Sequence, residues 1–264
     1  MAVALCTARA TELLGTRPEE INVLLSANIL KNAMGVGIPG TGMIGLPIAV
    51  ALGALIGKSE YQLEVIKDLT PKSLEEGKKY ICENRINIGL KPGKCDKLYI
   101  EVTCSAHGSR DKATAIIART HTHFIYEALN DKVTLDNRSG GSESSSGDDV
   151  RLNMKMVWDF AMNMPADKLR FFLNVRDVNM RAAAESLKGN YGHCLGKTMD
   201  RPSSHGIFGN SIYSHIISKT ASACDARMGG AMIPVMSNSG SGNQGICATN
   251  PVAVFATENE NTEE

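Results

Sequence analysis

The chain has 264 residues, 28 Lys plus Arg against 28 Asp plus Glu, and an apolar fraction of 43%. This is ordinary globular usage, long enough for one or two domains, and it argues against wholesale disorder. Zero net charge gives a polyanion no general attraction, and 5% aromatic content argues against stacking of single-stranded bases, so no nucleic-acid partner is expected.

In chain order, residues 2–14 predict an amphipathic helix with Arg9 and Glu12 inside it and Gly15 as its stop. Such charges are foreign to a cleavable secretion signal. Seven cysteines (Cys6, Cys82, Cys95, Cys104, Cys194, Cys224, Cys247) form no CxxC pair, which excludes a zinc ribbon and fits reduced thiols in a cytoplasm. A short strand is expected at 21–25. Residues 36–57 carry no charge, and loop chemistry from Val36 to Thr41 leaves a helix over 41–57. That helix is shorter than the about 20 apolar residues of a membrane span. It reads as a buried core helix whose Gly45, Ala49, Gly53 and Ala54 let neighbours approach closely, and no membrane partner is expected. Helices follow at 59–68 and 71–84, the second with Pro71 in its first turn.

At about Lys97 the hydrophobic period switches from 3.6 to two. Residues 98–103, 113–123 and 132–135 predict an antiparallel meander of three or four strands, a β-rich subregion (97–136) of one unit over 1–264. Residues 138–149, RSGGSESSSGDD, read as a flexible surface loop. Helices at 150–164 and 166–187 are expected to anchor the core through Trp158, Phe160, Phe171 and Phe172. Short helices and glycine-rich turns fill the rest, up to an acidic, frayed tail at 257–264. The expected fold class is α+β: helix-rich, with one small antiparallel sheet and a buried glycine/alanine-rich helix.

Chemistry concentrates in a few segments. Gly35, Gly37, Gly40 and Gly240, Gly242, Gly245 both match G-x-G-x-x-G, but neither has the strand, helix and downstream acid of a dinucleotide site. Nucleotide binding is disfavoured. The second match lies within Ser237-Asn-Ser-Gly-Ser-Gly-Asn-Gln-Gly245, nine consecutive small or amide residues. Converging backbone N–H groups, with a helix expected to begin after Gly245, suit a carboxylate or phosphate better than a plain turn does. For Asp225-Ala-Arg227, an internal ion pair shaping the loop and a substrate-carboxylate clamp both stand. His121 and His123 would share a strand face, with no third metal ligand in view. Ser203 and His205 are too close in sequence to make a convincing nucleophile and base.

Four stretches carry a family signature: Asn28-Ile-Leu-Lys-Asn32, Gly37-Ile-Pro-Gly-Thr-Gly-Met-Ile-Gly-Leu-Pro47, Ser222-Ala-Cys-Asp-Ala-Arg-Met-Gly-Gly230 and Ser237 through Gly245. They resemble the L-cysteine desulfidase family, which contains the serine dehydratase alpha-chain-like domain, over nearly the whole chain. The resemblance implies cleavage of L-cysteine to hydrogen sulfide, ammonia and pyruvate, or dehydration of L-serine, with a [4Fe–4S] cluster in place of pyridoxal phosphate. It makes Lys31 the candidate base. Asn32, Asp225, Arg227, Ser237, Asn238, Ser239, Ser241, Asn243 and Gln244 become candidate contacts to a small amino-acid substrate. The family's Gly-Cys-Thr-Glu-Pro motif and its second helical half are missing, so the chain reads as trimmed at both ends. It has no expected metal ligands and is not expected to hold the cluster alone. Two readings follow: a lyase completed by another segment, inactive in isolation, or a non-catalytic remnant that binds small molecules or partners. The matched segments are expected to line one pocket, and uncovered apolar surface is expected to drive self-association or recruit a companion chain.

Overall fold

The computed structural model describes residues 1–106, 111–138, 152–202, 209–238 and 241–263, and the chain divides into two units, Met1–Ser144 and Ser145–Glu264. The predicted loop at 138–149 falls outside the described residues except for Arg138.

The first unit starts with α1 (Ala2–Leu14), which is mostly apolar and ends where Gly15, at φ 74, donates its N–H to the Thr11 carbonyl. This is the left-handed cap that glycine adopts without a Cβ penalty. Inside α1, Arg9 makes two hydrogen bonds of 2.9 and 2.6 Å to the buried Glu127 carboxylate. The two charges in the helix thus face the sheet and the neighbouring turn, since Glu12 accepts from Ser59 N at 2.7 Å.

The uncharged stretch forms α3 (Leu46–Ile56), buried at eight of its positions, after a short α2 (Ala27–Ala33). The helix begins five residues later than 41, because Gly37 and Ile44 pair in an isolated bridge and Thr41 Oγ1 closes the turn onto the Ile38 carbonyl at 2.7 Å. Gly53 has the role its neighbours suggested. A Cβ there would lie 2.6 Å from the Ala4 carbonyl oxygen, so the backbones of α1 and α3 touch directly. Residues 59–64 form a 3-10 turn, and α4 (Pro71–Cys82) follows with a reciprocal Thr70–Ser73 cap.

The sheet is larger than expected and mixed. Its order is β2-β1-β3-β4-β5-β6, with β1 (Glu20–Leu25) parallel to β2 (Ile86–Leu90) and every other pair antiparallel. The remaining strands are β3 (Tyr99–Ser105), β4 (Lys112–Ala118), β5 (Phe124–Leu129) and β6 (Lys132–Asp136). A single strand over 113–123 is therefore corrected. The chain reverses after Ala118 with Arg119 at φ 72, and His121 and His123 sit in that turn and not on a strand face. Burial holds the His121 imidazole below its ordinary value.

Every named element among the described residues of the second unit is a helix: α5 (Met154–Asn163), α6 (Ala166–Leu169), α7 (Phe171–Lys188), α8 (Leu195–Met199), α9 (Ile212–Met228) and α10 (Gly242–Glu258). Its core is small, built on Ala182, Ala183, Ala223 and Ile246. The expected aromatic anchors are not part of it: Trp158, Phe160, Phe171 and Phe172 are between 52% and 66% exposed. Nor is the acidic tail wholly free, because Glu263 accepts from Arg176 Nη1 at 2.8 Å. No helix among the described residues is long and apolar enough to cross a membrane.

Candidate functional site

The nine-residue polar segment is only half loop. Ser241 caps α10 by accepting from Gln244 N at 3.3 Å, so Gly242, Asn243, Gln244 and Gly245 already belong to the first helical turn. The helix starts before Gly245 because a serine followed by glycine and amide residues is a strong N-cap, and the two glycines let the turn sink into its surroundings. A Cβ on Gly245 would stand 2.1 Å from the Met236 carbonyl oxygen, and one on Gly242 would stand 2.4 Å from Arg227 Nε. Those glycines are required by packing.

Arg227, in the last turn of α9, consequently lies flat against the N-terminus of α10. Its Nη1 donates to Asn243 Oδ1 at 3.0 Å and to Met228 Sδ at 3.3 Å. Among the described residues no carboxylate pairs with it. A guanidinium beside the positive end of a helix, whose leading N–H groups have no intrahelical acceptor, is an unfavourable pairing that an anion relieves. Arg227, Ser241 and Asn243 thus lie together, with Gln244 exposed one position on.

Asp225 does not form the ion pair offered for it: its carboxylate is taken up by backbone N–H groups and does not pair with Arg227. Oδ1 accepts from His193 N at 3.1 Å and Oδ2 from Gly196 N at 3.3 Å, so it caps the turn entering α8. The side chain is 9% exposed and is walled in by Gly192, where a Cβ would meet Oδ1 at 2.8 Å. Residues two apart on a helix point to different faces, which separates Asp225 from Arg227.

Ser237 and Asn238 are exposed ahead of α10, and Asn238 N bonds to the Ser241 carbonyl at 3.1 Å. Ser239 lies outside the described residues, as do Gly240, Ser203 and His205. Lys31 and Asn32 are exposed on α2 in the first unit.

Asn179 was not singled out from sequence. It is fully buried in α7 and grips the Met236 backbone from both sides: Oδ1 accepts from Met236 N at 2.8 Å and Nδ2 donates to Met236 O at 3.3 Å. It therefore fixes where the polar segment departs. Asn250 of α10 completes the network by donating to the Asn179 and Lys219 carbonyls at 3.4 Å each. A lone amide between apolar neighbours in α7 is the only sequence signal for this role.

All seven cysteines are free. Cys6 and Cys104 are buried between α1 and the sheet, and burial pushes both thiols up, Cys104 to about 12. Among the described residues no three His, Cys, Asp or Glu side chains converge on a point that could hold a metal ion. A cluster wants three or four thiolates in one constellation. Among the described residues the donor set does not fit an iron–sulfur group.

The fold is that of an α+β protein. The chain belongs to the serine dehydratase alpha chain family, whose model matches residues 60–264. It is 60% identical to a UPF0597 protein of Bacteroides fragilis, over 100% of this chain and 61% of that protein. A UPF0597 protein of Bacteroides thetaiotaomicron gives the same identity and shares. A UPF0597 protein of Chromobacterium violaceum is 40% identical over 97% of this chain and 59% of its own length. The chain thus spans about three-fifths of the length of these curated relatives. No solved structure matches it.

Proposed function

We propose that this chain is the carboxylate-binding portion of an amino-acid lyase, one that releases sulfide from L-cysteine or water from L-serine and yields ammonia and pyruvate. The observation that supports it best is Arg227 at the N-terminus of α10, hydrogen-bonded to Asn243 and unneutralised among the described residues. The carboxylate of a small amino acid has the charge for that position and the geometry for a guanidinium. Family membership adds the reaction class. Elimination needs a base at the α-carbon and an electrophile for the departing group. Lys31 is the candidate base. No described residues fit the electrophilic role, and the proposal assigns it to a companion segment of the kind the longer relatives carry. A companion also suits the second unit, where Met154, Trp158, Met162, Phe171 and Phe172 are between 52% and 80% exposed.

Anaerobic incubation with iron and sulfide tests the reading on the full chain, alone and with the part of the Bacteroides fragilis relative that it does not cover. Pyruvate from L-serine or L-cysteine is expected only from the combination, and R227A should abolish it. Turnover by the chain alone with near-stoichiometric iron would overturn the division of labour. No turnover in the combination would favour a non-catalytic binding module.

A further inference from the structure

Helices α9 and α10 pack antiparallel, and three contacts fix their register. Arg227 bonds to Asn243, Asn250 reaches the Lys219 carbonyl, and His215 Nδ1 meets Glu258 Oε1 at 3.0 Å. Each step back along α9 is matched by a step forward along α10. Between the first two rungs this register brings Cys224 opposite Cys247, near enough for each sulfur to act on the other's charge. Ala223 and Ile246, the residues just before each cysteine, belong to one buried cluster, so the helices are in contact at this level.

We propose that Cys224 and Cys247 are a disulfide-forming pair that, on exposure to a hydroperoxide, crosslinks α9 to α10 beside the Arg227–Asn243 bond. Cys247 is exposed, whereas Cys224 is half-buried. Burial, and after it the Cys247 sulfur, push the Cys224 thiol up to about 12, so the first reaction falls to Cys247. With hydrogen peroxide, the Cys247 sulfur attacks one peroxide oxygen, the O–O bond breaks, and a sulfenic acid forms while the other oxygen leaves with the thiol proton as one water. The Cys224 sulfur then displaces the sulfenic hydroxyl, which leaves with the thiol proton as a second water. Two thiols lose two electrons in total, and one hydroperoxide is reduced by two. The bridge closes a loop containing the polar segment before α10, and it stands whether or not the lyase reading holds.

Trypsin cuts after Lys219 and Arg227, so the two cysteines leave on different peptides, 220–227 and 228–264. The full reduced chain is treated with hydrogen peroxide, blocked with an alkylating agent, digested without reductant and mapped by mass spectrometry. The expected result is a linked 220–227/228–264 species lacking two hydrogens, reversed by dithiothreitol and absent from both C247S and C224A. C247S changes an exposed side chain, so its circular dichroism should match the parent even if C224A folds poorly. The proposal is overturned if the two peptides stay unlinked after peroxide treatment. It is equally overturned if either cysteine links instead to Cys82, Cys95 or Cys194.

Discussion

Replacing Asp225 by asparagine separates a structural carboxylate from a ligand-binding one. The two oxygens accept from His193 N at 3.1 Å and Gly196 N at 3.3 Å in a nearly closed site. Asparagine keeps one acceptor and turns an NH2 toward the other backbone N–H, so one charge-assisted bond is lost and a donor faces a donor. Hydrogen bonds to a charged group are worth about 1.5–3 kcal/mol, and a buried N–H left unpaired adds to the cost. Spread over a unit of residues 145–264, that loss lowers the melting temperature by about 6–12 °C. Differential scanning calorimetry of the full chain reads the shift, with L-serine titration on the same preparation below the transition. The expected outcome is a large drop in melting temperature with affinity for L-serine kept. If D225N melts within about 1 °C of the parent but loses L-serine binding, the carboxylate is a ligand contact and the reasoning fails.

Three further outcomes follow from the same structure. Gly53→Ala gains about 1 kcal/mol of helix propensity but forces a methyl to 2.6 Å from the Ala4 carbonyl, an overpacking cost of about 1–3 kcal/mol at its upper end. Thermal unfolding of the first unit should shift down by about 3–7 °C, and an unchanged or raised transition would contradict the close approach of α1 and α3. Burial raises the Cys104 thiol from 9.0 to about 12, so the folded state keeps a proton that the unfolded chain releases. Its contribution is complete below pH 9 and is lost as pH rises through about 12, so denaturant titrations should show parent stability falling over that window and C104A falling less. Trp158 is the only tryptophan and is 66% exposed, so its emission should be that of a solvated indole in dilute protein and shift to the blue as the chain associates. A concentration-independent monomer by light scattering would remove the case for a partner at α5 and α7.

What could be read from sequence was local. α1 with its Gly15 stop, the charge-free core helix and the β3–β6 region announce themselves through period, capping residues and turns within a few positions. The strand β2 did not, although Ile86, Ile88 and Leu90 alternate, because its reason to extend is a parallel partner far back in the chain. The aromatic side chains of α5 and α7 were expected inside for a related reason: an apolar helix face looks the same whether its cover is its own core or something else. In the site, Arg227 and Asn243 were legible because both lie in unusual segments. Asp225 looked equally ligand-like, but its partners are backbone N–H groups, which leave no mark except Gly192 and Gly196. Asn179 was invisible because a buried amide and a surface amide share one letter, and its task is set by Met236 across the helical unit.

The central claim is that the Arg227 guanidinium and the N-terminus of α10 receive a small amino acid's carboxylate. Isothermal titration of L-serine into the full chain and into R227M tests it most directly. One charge-assisted bond of about 1.5–3 kcal/mol corresponds to a loss of affinity of about ten- to a hundredfold. The account expects that loss with the melting temperature unchanged. Equal affinity in the two proteins, or no binding of L-serine by the parent at millimolar concentration, would contradict it.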